Sequence, residues 1–301
     1  MSSVVQPCME KGLLKGPAFV AGSLQYEAVL GSVAYGVSDD RSDLDIVGFC
    51  VPPRDDVFPH LRGEIPGFDP ESKRFEQLQV HHVFDPKAAS GKGRTYDFTI
   101  YSIVKFFRMC ADNNPNMLDG LFVPRRCVLF STRIGEMVRE QRHIFLHRGA
   151  WQRFKGYAYQ QMHKIRIKKP QGKRKEMVER YGFDVKFGYH IVRLLGEVEQ
   201  ILEEHDLDLE RNREQLKAIR RGEWTLEQLE QWFADKERHL EGVYAKSSLP
   251  NKPDAERIKT LLLNCLEQHY GSLDASVVRP DELRDALRRI RDAVAAVERR
   301  L

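Results

Sequence analysis

Residues 26–51 read YEAVLGSVAYGVSDDRSDLDIVGFCV, and this stretch decides the fold. A short apolar run ends in Gly31-Ser32, a turn and a polar segment follow, and apolar sequence returns at Asp43-Leu44-Asp45-Ile46-Val47. Successive side chains in a strand point to opposite faces. Asp43 and Asp45 therefore share one face, and Leu44 and Ile46 take the other, toward the core. Two adjacent carboxylates repel each other and destabilise a fold unless a positive charge lies between them. A divalent cation held by oxygen ligands meets that need. Gly31-Ser32 lets the backbone approach a ligand closely and presents N–H groups at a helix start, where phosphate oxygens bind well. A phosphate cradle followed by an acidic pair on a neighbouring strand points to metal-dependent nucleotidyl transfer.

Two further strands are expected at 75–84 and 95–101, joined by the turn Ala88-Ala89-Ser90-Gly91-Lys92-Gly93. In the second, Thr95, Asp97 and Thr99 share a face opposite Tyr96, Phe98 and Ile100. An aspartate in so apolar a strand is costly without a partner, and the cation held by Asp43 and Asp45 is the natural one. Asp85 competes for this place, but it precedes Pro86 and reads as a turn residue. The proline-dense segment 52–70 is read as a loop that either shapes a substrate pocket or makes a surface excursion. An amphipathic helix spans 102–111 and stops at Asp112-Asn113-Asn114-Pro115.

From Trp151 onward the pattern is helical. The segment 163–175, HKIRIKKPQGKRK, carries the strongest local charge in the chain. It is either a solvated loop or a binder of phosphate groups. A following helix places Lys186, His190 and Arg193 on one face and Phe187, Ile191, Leu194 and Leu195 on another. Three more amphipathic helices, at 224–240, 255–270 and 281–301, show core stripes such as Leu226, Leu229, Trp232, Phe233 and Leu283, Leu287, Ile290, Val294. His143 and His147 have the i, i+4 spacing of zinc ligands, but no third ligand has an obvious place and Arg142 and Arg148 flank them.

The 301 residues suffice for one large or two modest domains. A net charge of +4 does not by itself indicate nucleic acid, so the clustering of charge matters more than its total. The five cysteines form no CxxC pair, which argues against a zinc ribbon or disulfide frame and for a reducing, cytoplasmic setting. No apolar run approaches the ~20 residues of a membrane span. Nothing in the sequence fixes the oligomeric state.

Taken together, GSVAYG…SDLDIVGF, DFTIYSIVKFFRMCADNNPN, YGFDVKFGYHIVRLLGE, AIRRGEW and SSLPNKPD resemble the nucleotidyltransferases of the DNA polymerase beta superfamily linked to RNA repair. The resemblance implies an α+β fold, with a polymerase beta-like palm at 1–148 and a helical domain at 149–301. It makes Asp43, Asp45 and Asp97 the catalytic carboxylates and metal ligands. Gly31, Ser32, Ser42, Lys186, His190 and Arg193 become the nucleotide-binding set. Magnesium is the implied cofactor, with manganese as a substitute. The implied reaction transfers a nucleoside monophosphate from a nucleoside triphosphate to a hydroxyl, releasing pyrophosphate. An RNA end, that of a tRNA included, is the implied acceptor; a protein hydroxyl or a small molecule is the alternative. One departure is Asn113-Asn114-Pro115, where Gly-Asn-Pro is expected; asparagine also tolerates the left-handed backbone.

Overall fold

Alternating apolar residues build one five-stranded mixed sheet in the computed structural model, which describes residues 3–38, 43–65, 67–69, 73–168, 170–276 and 280–298. Helices α1 (Val5–Glu10) and α2 (Phe19–Ser23) precede β1 (Leu24–Val29) and β2 (Leu44–Cys50). A short α3 (Arg54–Val57) leads to β3 (Gln77–Asp85), the helical turn α4 (Ala88–Gly91) and β4 (Arg94–Ser102). Then come α5 (Ile103–Ala111), α6 (Pro115–Phe122), β5 (Val128–Ser131) and α7 (Arg133–Glu140). The remainder is helical: α8 (Ala150–Ile167), α9 (Lys173–Tyr181), α10 (Val185–Glu204), α11 (Arg213–Arg220), α12 (Leu226–Lys246), α13 (Ala255–Tyr270) and α14 (Pro280–Glu298). No helix among the described residues is long and apolar enough to cross a membrane.

The strand order is β3-β4-β2-β1-β5, with β2 and β4 parallel and the other neighbours antiparallel. Both faces of the sheet are covered. Val5, Leu14, Ile46, Phe98 and Ile100 belong to the smaller core under the N-terminal helices. Val47, Phe49, Phe106, Trp151, Ile191 and Leu266 belong to the larger one, which continues from the sheet into the helical half. Each such fully buried aliphatic or aromatic side chain contributes roughly 1.5–3 kcal/mol. Asp45 shares its strand face with Val47 and Phe49, so the acidic face leads straight into core on the helical side.

Local chemistry explains several boundaries. Ser102 caps α5 by accepting a bond from Lys105 N, and Asn114 caps α6 just before Pro115. Asn113 adopts the left-handed backbone at φ +50°. Its buried side chain donates to Cys110 O and Phe145 O, at 3.2 and 2.6 Å, bonds a glycine could not make. Glu27, fully buried in β1, accepts from Ser3 Oγ at 2.6 Å and Val4 N at 2.8 Å. The N-terminal residues therefore satisfy a core carboxylate, a role their sequence did not announce. All five cysteines are free and buried.

Among the described residues of the proline-dense segment none lines the Asp45 cleft, and its start docks on the end of α13: Arg54 Nη2 donates to Tyr270 O at 2.8 Å, and Tyr270 OH donates to Pro52 O at 2.6 Å. In α14, Leu287, Ile290 and Val294 are 52–60% exposed instead of buried. The Leu283 side chain lies outside the described residues. Amphipathic spacing marks an apolar face but not what covers it.

Candidate active site

The parallel register of β2 and β4 sets Asp45 directly beside Asp97. Asp43 lies just before β2, exposed, and close enough to act on Asp45 electrostatically. Asp45 and Asp97 open onto a cleft of about 320 Å³, whose wall includes Gly31, Tyr35, His81, His190 and Arg193. Asp45 is exposed by area yet crowded by its neighbours. The crowding raises its carboxyl above the ordinary value, Asp97 and Asp43 add to the rise, and Lys186 and His81 oppose it.

Gly31 opens the turn after β1 with φ +65°, and a Cβ there would overlap Asp45 Oδ2. Only glycine satisfies both the backbone and the approach. Ser32 follows in the same 3-10 turn, half-buried. Ser42 lies outside the described residues.

Asp97 has a protein partner that its strand pattern did not suggest. The register of β3 against β4 shifts between Val80 and Val83, and His82 adopts φ +57° in the resulting bulge. The bulge aims His82 N at Asp97 Oδ1, 2.7 Å away. Asp97 Oδ2 sits 3.5 Å from His81 Nδ1, and His81 in turn meets Gln79 at 3.0 Å. Asp85 is engaged elsewhere, paired with Lys11 at 2.7 Å.

The turn that carries Gly31 is clamped by the helical half. Tyr35 OH donates to Asp119 Oδ2 at 2.6 Å and accepts from Arg193 Nη1 at 2.6 Å. Arg193 also pairs with Asp119 and, at 3.2 Å, with Glu197 one turn along α10. Arg220 Nη1 donates to Val37 O at 2.6 Å. Arg193 thus departs from the free phosphate-binding cation suggested by its helix stripe. It is 6% exposed and spends its charge on two buried carboxylates. Tyr35, Asp119 and Glu197 were missed; only the i, i+4 spacing of Arg193 and Glu197 could have hinted at the cluster.

Lys186 stands exposed in the first turn of α10, where the Asp184 side chain caps the helix. His190, half-buried on the cleft wall, is not a cation. Burial, with Arg193, Lys186, Arg174 and Lys164 nearby, pushes its pKa down to about 3. The zinc spacing of His143 and His147 comes to nothing. His143 Nε2 meets Asp206 at 3.0 Å and His147 Nε2 meets Ala111 O at 2.9 Å. Glu199, Glu203 and His239 also gather closely on α10 and α12, where Lys236 already lies 2.5 Å from Glu199.

Residues 20–264 match the RNA repair pathway DNA polymerase beta family. The chain belongs to this family. Family membership makes it a nucleotidyltransferase of the polymerase beta type with an α+β fold. Among solved structures it is similar to a nucleotidyltransferase-like protein from Exiguobacterium sibiricum. That similarity is 11% identity over 80% of this chain and 74% of the other, with a TM-score of 0.29. No curated protein matches the sequence.

Proposed function

We propose that the protein transfers a nucleoside monophosphate from a nucleoside triphosphate to a hydroxyl at an RNA end, in a reaction dependent on a divalent metal. The observation that carries this is the side-by-side register of Asp45 and Asp97 facing the cleft under Gly31. The donor set fits a hard cation. It consists of carboxylate oxygens, and Asp45, raised first by burial and then by Asp97 and Asp43, is held in its charged form by a bound cation. Magnesium, or manganese in its place, would be held by Asp43, Asp45 and Asp97. It would supply neutralisation of the triphosphate and a lowered pKa for the incoming hydroxyl. Residues 1–148 would form the catalytic palm and 149–301 the helical domain.

The protein's own groups divide the remaining work. The backbone at Gly31 and the Ser32 hydroxyl bind phosphate oxygens, with Ser42 contributing from the adjoining segment. Asp97, with Oδ1 held by His82 N–H and Oδ2 3.5 Å from His81 Nδ1, orients the acceptor hydroxyl and takes its proton at Oδ2. The hydroxyl oxygen bonds to the α-phosphorus as the bond to pyrophosphate breaks. Lys186 meets the negative charge of the departing pyrophosphate. His190, neutral, forms hydrogen bonds with the sugar or base instead of the phosphates, and Arg193 holds Tyr35 and the turn in place.

The family supports RNA as acceptor, and so do Lys164 and Arg174, basic-segment residues close enough to His190 to act on its charge. The test is incubation of the protein with each α-labelled nucleoside triphosphate, magnesium and pooled cellular RNA, alongside Asp43→Ala. Label on RNA that vanishes in the variant is the expected result. Label on protein with RNA bare would transfer the assignment to protein nucleotidylation.

A further inference from the structure

A second recess, of about 530 Å³, lies between α8, α9 and the first turn of α10. Its floor is apolar, built from Ile165, Val178, Phe183 and Phe187. Its rim is cationic, with Lys164, Lys168 and Arg174. The Arg174 guanidinium lies 4.6 Å over the Phe187 ring, and Lys168 Nζ lies 5.7 Å from the same ring. The one carboxylate among the described residues of the recess, Asp184, is paired with Arg174 at 2.8 Å and accepts from the N–H of Lys186.

What sets this rim apart is the pairing of charges along α8. Lys155 is matched by Glu237 and Glu241, and Arg166 by Glu230, all on α12. Lys164, on the recess side of the same helix, and Lys168, just past its end, have no carboxylate partner among the described residues. The recess beside Trp224 and Trp232, by contrast, is rimmed by Glu223, Glu227 and Asp235, which repel a phosphate chain. An apolar floor, a planar guanidinium for a base to stack on and two unmatched ammonium groups are the parts of a single-strand nucleotide site. The first turn of α10 separates this recess from the Asp45 cleft: Phe187 lines one and His190 the other.

We propose that this recess is a subsite for one nucleotide of the acceptor RNA strand, the base on the Arg174 side and the flanking phosphates on Lys164 and Lys168. The proposal rests on the RNA-acceptor reading above. A strand anchored here crosses the first turn of α10, past Lys186, to bring its end to Asp97.

The test is anisotropy of a fluorescent single-stranded RNA of about 12 nucleotides with the full-length protein, without nucleoside triphosphate, across a salt series. It compares wild type, the double variant Lys164→Gln/Lys168→Gln, and Lys155→Gln as a control on the paired side of α8. The double variant is expected to bind about tenfold or more weakly, with the salt slope reduced by about 1.4, at roughly 0.7 per single-strand phosphate contact. Its KM for RNA rises while its KM for the nucleoside triphosphate stays put, and Lys155→Gln matches wild type. Unchanged RNA affinity in the double variant, with wild type still labelling RNA, overturns the subsite and leaves the proposed function standing. Absence of RNA binding and RNA labelling by wild type overturns both. Inorganic polyphosphate that competes as well as RNA overturns the base-binding half of the proposal.

Discussion

Replacing Gly31 by alanine separates the stability of the turn from its chemistry. At φ +65° the added Cβ meets the left-handed penalty, about 1–2 kcal/mol. The atom it overlaps is Asp45 Oδ2, the far end of a side chain that can rotate away. The clash therefore adds little to the stability loss but moves the carboxylate from beside Asp97. A misplacement on the order of 1 Å in a reacting group costs about a hundredfold in rate. Gly12 provides the control, since its φ is +69° and nothing lies within 4 Å of where an alanine methyl would sit. Both Gly31→Ala and Gly12→Ala are expected to lower the urea midpoint to a similar degree. Transfer of label to acceptor is expected to fall about a hundredfold in Gly31→Ala alone. Wild-type transfer by Gly31→Ala, or an equal loss in Gly12→Ala, would refute the reasoning that the glycine exists to admit Asp45.

The buried cluster gives a second prediction. Asp119→Ala leaves Arg193 short of a partner in the core and is expected to cost about 3–5 kcal/mol in urea unfolding; a loss under about 1 kcal/mol would contradict the clamp. His190 gives a third. Its folded pKa of about 3 lies below its unfolded value of about 6.5, so between these the unfolded chain binds the extra proton. Its contribution to stability is complete above pH 6.5 and lost as pH falls toward 3, by up to about 1.4 kcal/mol per pH unit. Histidine NMR is expected to show no titration of His190 between pH 5 and 8. Substitution by asparagine is expected to flatten the fall in stability from pH 7 to pH 5 relative to wild type.

The strand–turn–strand unit was legible because each local signal agreed. Gly31 marked a tight turn, Leu44 and Ile46 marked a core face, and Asp97 stood alone among apolar neighbours. The strands around Asp97 followed from period-two alternation. The rest depended on contacts that have no local signature. The bulge at His82 forms without a glycine, so nothing at that position announces the N–H aimed at Asp97. Asp119 lies 74 residues from Arg193, and an isolated acidic residue in α6 gave no hint of an ion pair. The stripe of α10 placed Lys186, His190 and Arg193 together on one face. Only the packing around it shows one neutral, one neutralised and one free to act. The apolar stripe of α14 was legible as a stripe, while its exposure was not.

Everything proposed for the cleft depends on Asp45 and Asp97 together holding a divalent cation for nucleotide chemistry. Titrating manganese into the protein with a nucleoside triphosphate present, followed by electron paramagnetic resonance, tests this most directly. Wild type is expected to bind manganese tightly, with affinity reduced at least about tenfold in both Asp45→Asn and Asp97→Asn while their folds remain intact by circular dichroism. Manganese binding that persists unchanged in both variants would contradict the proposed role of the pair.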